Sequence, residues 1–327
     1  MKDLYIDVGS TNIKWMESNS LTLHLVSFPQ AEKDEYPYYE VSHDKIFEKI
    51  KNIIETSNAD RAFFSVQMHG YVLLKDGNAV SNYVSWRDER GATLVPKFTL
   101  TKEYGVDVKP NLPRLSLQAQ KLDFDEFCTL GSYLVYRLTG KNVTHITDGA
   151  PTGFFNVKNK TCDAVSFKLP CVTYEVLPVG SYNNTQIYTP VGDQQASVFG
   201  AVDKDYDGLV LNLGTAGQMC CIRNGFVCGE FESRPFFEDK TLCTVTRLIG
   251  GSIIAEKSDA ELEDLLLNDY KSAKEKLPYC NQMIVTGGVI EYRKKLLSNV
   301  LDKLNVNYTF THQCDALNGL KKLQGES

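Results

Sequence analysis

Two short turns carry residue types suited to chemistry with phosphate. Asp7-Val8-Gly9-Ser10-Thr11 ends an apolar run, and Asn212-Leu213-Gly214-Thr215-Ala216 can be laid over it. Small and hydroxylated residues between two strands let backbone amides approach a phosphate closely. Either turn alone would also serve as an ordinary hairpin; their recurrence at matching points favours phosphate binding. Facing each other, Gly9, Ser10 and Thr11 on one side and Gly214 and Thr215 on the other would grip both ends of a nucleotide polyphosphate. Asp7 is placed to hold a magnesium ion, directly or through water. Lys14 either reaches a phosphate as a point charge or is a solvated strand lysine.

The elements that position these turns are clearest in the second half. Residues 208–213, 218–223 and 241–248 read as strands. Ser258 with Glu261 forms a capping box opening a helix through Leu262, Leu265, Leu266 and Tyr270. A strand over 282–286 ends in Gly287-Gly288, a helix spans 291–304, a strand 306–311 and a last helix 314–324. The order is β-β-β-α-β-α-β-α. The N-terminus begins alike: strands over 3–7, 12–17 and 21–28, a helix over 43–57 and a strand over 61–66. This predicts an α/β protein of two related domains facing each other across a cleft, 1–202 and 203–327, joined near Gly200 and the Asp203–Asp207 charge cluster.

The 327 residues, 43% hydrophobic, suffice for two cores. The net charge of -6 and the lack of a Lys/Arg block exclude the footprint of a nucleic-acid binder. No stretch reaches the length of a membrane span. MKDLYIDV reads as a strand rather than a secretion signal. Nine cysteines without a CxxC pair read as reduced cytosolic thiols, with Cys220 and Cys221 on opposite faces of a strand. The expectation is a cytoplasmic protein; oligomeric state is not legible.

Six segments, DVGSTNIK (7–14), VQMHG (66–70), WRDERG (86–91), YRLTG (136–140), GDQQAS (192–197) and NLGTAGQ (212–218), stand in the order found in FGGY-family carbohydrate kinases. The chain resembles that family over residues 1–220. The resemblance implies the actin-like ATPase fold, two ribonuclease H-like domains, and transfer of the ATP γ-phosphate to a sugar hydroxyl with Mg2+. It implies Asp193 as catalytic base, although an Asx turn beside Gly192 is the plainer alternative. A carboxylate that accepts the hydroxyl proton as the phosphoryl group arrives suits a poor alcohol nucleophile. Gln194 would bond the sugar, and Gln67, Met68 and His69 would line its pocket at a strand end. Trp86 would stack on the sugar and Asp88 accept its hydroxyls; a core tryptophan and a surface Asp88–Arg90 ion pair are the alternative, preferred for Arg90. The Gln-Met-His-Gly segment is most similar to xylulose and sedoheptulose kinases, so the substrate is expected to be a ketose rather than glycerol.

Beyond Gly217 the resemblance loosens. Gly250-Gly251 resembles the glycine pair near the nucleotide, and Gly287-Gly288 the adenosine motif; both also suit ordinary punctuation of helix and strand. Only 35 residues, 252–286, separate the pairs, where the family carries a long insertion. The nucleotide domain is therefore expected to be shortened. That favours a second reading, a catalytically weak member that senses sugar or nucleotide. A third, a chaperone-like or filament ATPase, predicts no sugar site and is opposed by segments 66–70 and 86–90.

Overall fold

The computed structural model describes residues 1–20, 22–214, 216–311 and 316–325. Two sheets share one plan. In the first, β1 (Asp3–Val8), β2 (Asn12–Glu17) and β3 (His24–Ser27) are antiparallel neighbours. On the other side of β1 comes β4 (Arg61–Val66), parallel to it. Then follow β6 (Thr185–Tyr188), parallel to β4, and β5 (Pro178–Tyr182) at the edge. In the second sheet β7 (Leu209–Leu213), β8 (Gly217–Asn224) and β10 (Lys240–Leu248) are antiparallel, with β9 (Glu232–Pro235) outside β10. Then β11 (Gln282–Thr286) and β12 (Asn307–Phe310) run parallel to β7.

Strand alternation divides the core. Leu4, Ile6 and Val8 pack with Ile46, Phe47 and Ile50 of α1 (His43–Ser57) and with α2 (Leu130–Thr139). Leu209, Leu211 and Leu213 pack with α5 (Asp259–Lys276) and α6 (Val289–Lys303). The opposite faces of both sheets, through Tyr5, Phe63, Val210 and Cys220, enclose a third cluster. It contains Ala196 and Val198 of α3 (Asp193–Ala201) and Leu317 and Leu320 of α7 (Ala316–Leu323). Cys220 thus faces the central layer and Cys221 the outer core. α4 (Gly251–Glu256) lies between β10 and α5.

The sequence placed the last helix at the end of the second unit. Instead α7 packs on α3 and on β1 and β4 of the first sheet. A glycine makes this crossing possible: a Cβ at Gly319 would lie 1.9 Å from the Ala196 carbonyl oxygen. The expected strand over 21–28 is shorter, and the chain then adds a hairpin, Ala31–Glu35 with Tyr38–Val41, ahead of α1. That hairpin joins Tyr71–Lys75, Tyr83–Val84 and Glu126–Thr129 in a further sheet. Among the described residues no helix is long and apolar enough to cross a membrane.

Gly319→Leu tests the crossing. Overpacking should cost about 1–3 kcal/mol, read as a lower urea midpoint with an unchanged slope.

Candidate active site

The site is built by register. Val8 pairs with Val66, and Val66 also pairs with Gly192, in parallel ladders. The next residues along, Gly9, Gln67 and Asp193, therefore leave the sheet side by side at its carboxyl edge, where open α/β sheets place ligands. Gln67 Nε2 donates to the Gly9 carbonyl at 3.3 Å, and Ser65 Oγ donates to Asp7 Oδ1 at 3.0 Å. Asp193 is the first residue of α3, not an isolated Asx turn. Gly192 caps that helix and donates its N–H to Thr147 Oγ1 at 3.0 Å. A Cβ on Gly192 would meet Met68 Sδ at 2.5 Å and the Thr147 carbonyl at 2.9 Å, so Met68 seats this corner.

Asp193 Oδ1 accepts the Gln194 N–H at 2.8 Å. Burial pushes its carboxyl up to about 6, against the pull of that N–H and of Arg234 and with the push of the Asp148 carboxylate. Asp148 is itself buried, which raises it to about 6, and its Oδ2 accepts hydrogen bonds from the hydroxyls of Thr129 at 2.5 Å and Thr144 at 2.6 Å. His69 holds a left-handed backbone, φ 63°, at the tip of its turn. Burial, helped by Arg234, lowers its imidazole to about 3, so it is neutral at physiological pH.

Three charged residues that the sequence reading did not single out complete the site. Arg234 Nε donates to Glu232 Oε2 at 2.7 Å, Nη1 donates to Gln194 Oε1, and Nη2 lies 3.5 Å from His69 Nε2. Lys109 Nζ donates to Glu232 Oε1 and to Thr246 Oγ1, the latter at 2.9 Å. Burial would raise the Glu232 carboxyl, but Arg234 and Lys109 outweigh it and hold it at about 2. A signal was present: Glu232 and Arg234 are two apart between Phe231 and Phe236, so a strand puts both charges on one face.

No protein-family model matches the chain. A glycerol kinase of Thermococcus kodakarensis is 25% identical over 213 residues, 55% of this chain and 41% of that protein. One of Thermococcus gammatolerans is 24% identical over 301 residues, 76% of this chain and 58% of that protein. The chain thus spans about half the length of these curated relatives. The xylulose kinase of Lactobacillus acidophilus superposes with a TM-score of 0.86 at 16% identity, covering 99% of this chain and 90% of that one. The gluconate kinase of Lactobacillus acidophilus gives 0.83 at 16% identity, covering 100% and 90%. The fold is that of the FGGY carbohydrate kinases.

Against that fold, one expected sugar contact needs correction. All four acceptor positions of Asp88 are filled by protein donors. Oδ1 takes Arg90 N at 3.1 Å and Nε at 2.7 Å; Oδ2 takes Tyr39 N at 2.8 Å and Arg90 Nη2 at 2.7 Å. Asp88 and Arg90 are both buried, and Arg90 continues to Glu40 Oε1 at 2.7 Å. The pair pins the 85–91 loop to the strand Tyr38–Val41. Trp86, partly buried on that loop, has its carbonyl bound by Asn111 Nδ2 at 2.7 Å.

In the second sheet the glycines at the strand ends pack backbone on backbone. A Cβ on Gly250 would lie 2.4 Å from Gly217 N, and one on Gly287, at φ 108°, 2.4 Å from the Leu213 carbonyl oxygen. Gly251 N donates to the Gly214 carbonyl at 2.7 Å. Gly288 precedes α6 and faces open space. Such a bare surface fits a nucleotide lying against main chain. Ser10 is partly buried, Thr11 exposed and Lys14 partly buried; Thr215 lies outside the described residues.

Asp88→Ala would leave Arg90 buried beside Glu40 alone. Breaking a buried pair this way costs about 3–5 kcal/mol, so urea unfolding should show a large loss of stability, with any fall in sugar binding tracking the unfolded fraction.

Proposed function

We propose that the chain is an ATP-dependent carbohydrate kinase acting on a hydroxyl of a small sugar, a ketose in preference to glycerol. The observation that carries this reading is the side-by-side exit of Gly9, Gln67 and Asp193 from paired strands. It sets a candidate base beside a candidate phosphate turn. Asp193 is the proposed base. With its carboxyl raised to about 6 it is ionised at neutral pH yet basic enough to take a hydroxyl proton. Gln67, Met68, His69 and Gln194 are the proposed sugar contacts, with Trp86 as a stacking face.

ATP and Mg2+ are the proposed cofactors. Asp7 would hold the magnesium, whose charge neutralises the phosphates. Gly9, Ser10, Thr11 and Lys14 would meet the phosphates. Gly214, Thr215, Gly250, Gly251, Gly287 and Gly288 would form the rest of the nucleotide site. Residues 1–202 are proposed as the sugar- and phosphate-binding domain and 203–327 as the nucleotide domain. The free thiols suit a reducing cytoplasm.

A coupled ADP-release assay over ketoses, sugar acids and polyols with ATP and magnesium tests the reading. One or more ketoses should support turnover, and Asp193→Asn should lower kcat by about 10²–10⁴-fold with much less change in sugar affinity. The acid limb of kcat/KM should fall near pH 6, because the base is lost as pH drops through that value. Turnover undiminished in Asp193→Asn would remove this residue from the mechanism.

The sensor reading is favoured by one feature: only α4 and α5 lie between the two glycine pairs before β11. Fewer walls bury less of the base. Calorimetry with ADP should accordingly show weak binding; tight, adenine-selective binding would contradict this. Sugar binding without any acceptor-dependent ADP release would decide for the sensor.

A further inference from the structure

The ion cluster Lys109–Glu232–Arg234 is not explained by sugar or nucleotide contacts assigned above. Lys109 comes from the loop before Leu112, in the first half of the chain; Glu232 and Arg234 come from β9 of the second sheet. All three side chains are largely buried, at 14%, 2% and 4% exposure. Charges are not buried without partners, and here two cations meet one carboxylate. The cluster therefore keeps one positive charge in excess. Its nearest use lies on α3: the Arg234 guanidinium reaches the first turn of that helix through Gln194 Oε1.

We propose that Arg234 is a positioning residue that fixes the Gln194 amide as a hydrogen-bond donor to substrate and supplies the counter-charge that keeps Asp193 ionised. The inference rests on the kinase reading for the role of Asp193 and deepens it. The first half follows from amide chemistry. An amide offers one acceptor oxygen and one NH2 donor. Arg234 Nη1, which can only donate, occupies the oxygen. Among the described residues the amide nitrogen has one long contact, to Thr244 Oγ1 at 3.5 Å, which leaves it to donate to a sugar oxygen. Three of the five guanidinium N–H groups are engaged: Nε and Nη2 with Glu232 Oε2, at 2.7 and 2.5 Å, and Nη1 with Gln194 Oε1. The substrate class is thus a sugar that presents an acceptor oxygen to the Gln194 amide nitrogen.

The second half follows from the charges around Asp193. Asp148, from the helix Ile146–Gly149, and the buried Tyr83 hydroxyl face it without helping its ionised form. Arg234, from β9, opposes them. Behind Arg234 stand Glu232, Lys109 and the neutral His69. Because Arg234 belongs to the second sheet and Asp193 to the helix after the first, the base is fully tuned only when the two halves are packed together.

Arg234→Gln removes the charge, and Arg234→Lys keeps the charge but loses the fork. Both are made in the full chain and checked by circular dichroism. Carbon-13 carboxyl NMR, with the Asp193 signal assigned by its loss in Asp193→Asn, needs no turnover and so stands apart from the kinase reading. Arg234→Gln should move the Asp193 midpoint up by about one pH unit or more; Arg234→Lys should leave it near the wild-type value. In the kinase assay both variants should raise KM for the sugar about tenfold. An unmoved midpoint in Arg234→Gln overturns the counter-charge. An unchanged KM in Arg234→Lys, the variant that keeps the buried charge balance, overturns the positioning of Gln194. A wild type without turnover sinks the kinase reading while the NMR result still decides the electrostatic one.

Discussion

The crossing of α3 and α7 governs where everything else can be. Gly319 rides directly over the Ala196 carbonyl, and a residue with a side chain there would force the helices apart. α7 also closes the end of α3: Lys322 Nζ donates to the carbonyls of Gly200 at 3.0 Å and Val202 at 2.9 Å. A cation at a helix C-terminus satisfies orphan carbonyls and favours the helix dipole. The start of the same helix carries Asp193 and Gln194. The orientation of the candidate base is therefore set at one end by the ladder of β4 with Val191–Gly192, and at the other by a helix from the far end of the chain.

This arrangement accounts for the burial of both faces of both sheets. β1 has no exposed residue, although parallel pairing with β4 and antiparallel pairing with β2 would permit one solvated face. The second face is needed to cover α3 and α7. Tyr5 and Phe63 stack at 5.7 Å on that side, and Phe236 and Phe237 reach it from the turn between β9 and β10. β9 runs into that turn, and Glu232 and Arg234 lie on its face toward the central layer, paired with Thr244 and Leu242 of β10. Packing of the central layer and placement of the ion cluster thus share one short strand.

Strongly patterned elements were legible in the sequence. The strand over 12–17, the helix over 43–57, the strand over 61–66, the capping box at Ser258–Glu261 and the strand over 282–286 lie where periodicity and caps put them. Each has a local signal that tertiary contacts do not override. The hairpin Ala31–Glu35 with Tyr38–Val41 was not legible, because its residues are mostly charged or exposed and its partner strand, Tyr83–Val84, is remote. The same reason hid the destination of α7: an amphipathic helix announces that one face is covered, not what covers it. In the site, Gln67, Met68, His69 and Asp193 came from motifs at strand ends and converge. Asp88 came from a motif too, but its partner Tyr39, and Glu40 that binds Arg90, lie in the hairpin that the pattern did not show.

The ion cluster illustrates a conflict between stability and chemistry. Apolar residues of similar volume at 109, 232 and 234 would often be neutral or stabilising, since desolvating charges costs several kcal/mol per ion. A cluster kept for packing alone would also balance its charges. This one holds Glu232 at about 2 between two cations and leaves a positive charge next to a carboxyl that burial has raised to about 6. Asp148 pushes the same carboxyl the other way. A carboxyl caught between a buried like charge and a buried opposite charge has its proton affinity set by both, and each comes from a different part of the chain. A change in the packing of the two halves would move Arg234 but not Asp148, which is tied to Thr129 and Thr144 beside α2. Proton affinity at Asp193 is therefore a function of how the halves are packed: it is lowest, and the carboxyl most fully ionised, in the arrangement that brings β9 against the first turn of α3.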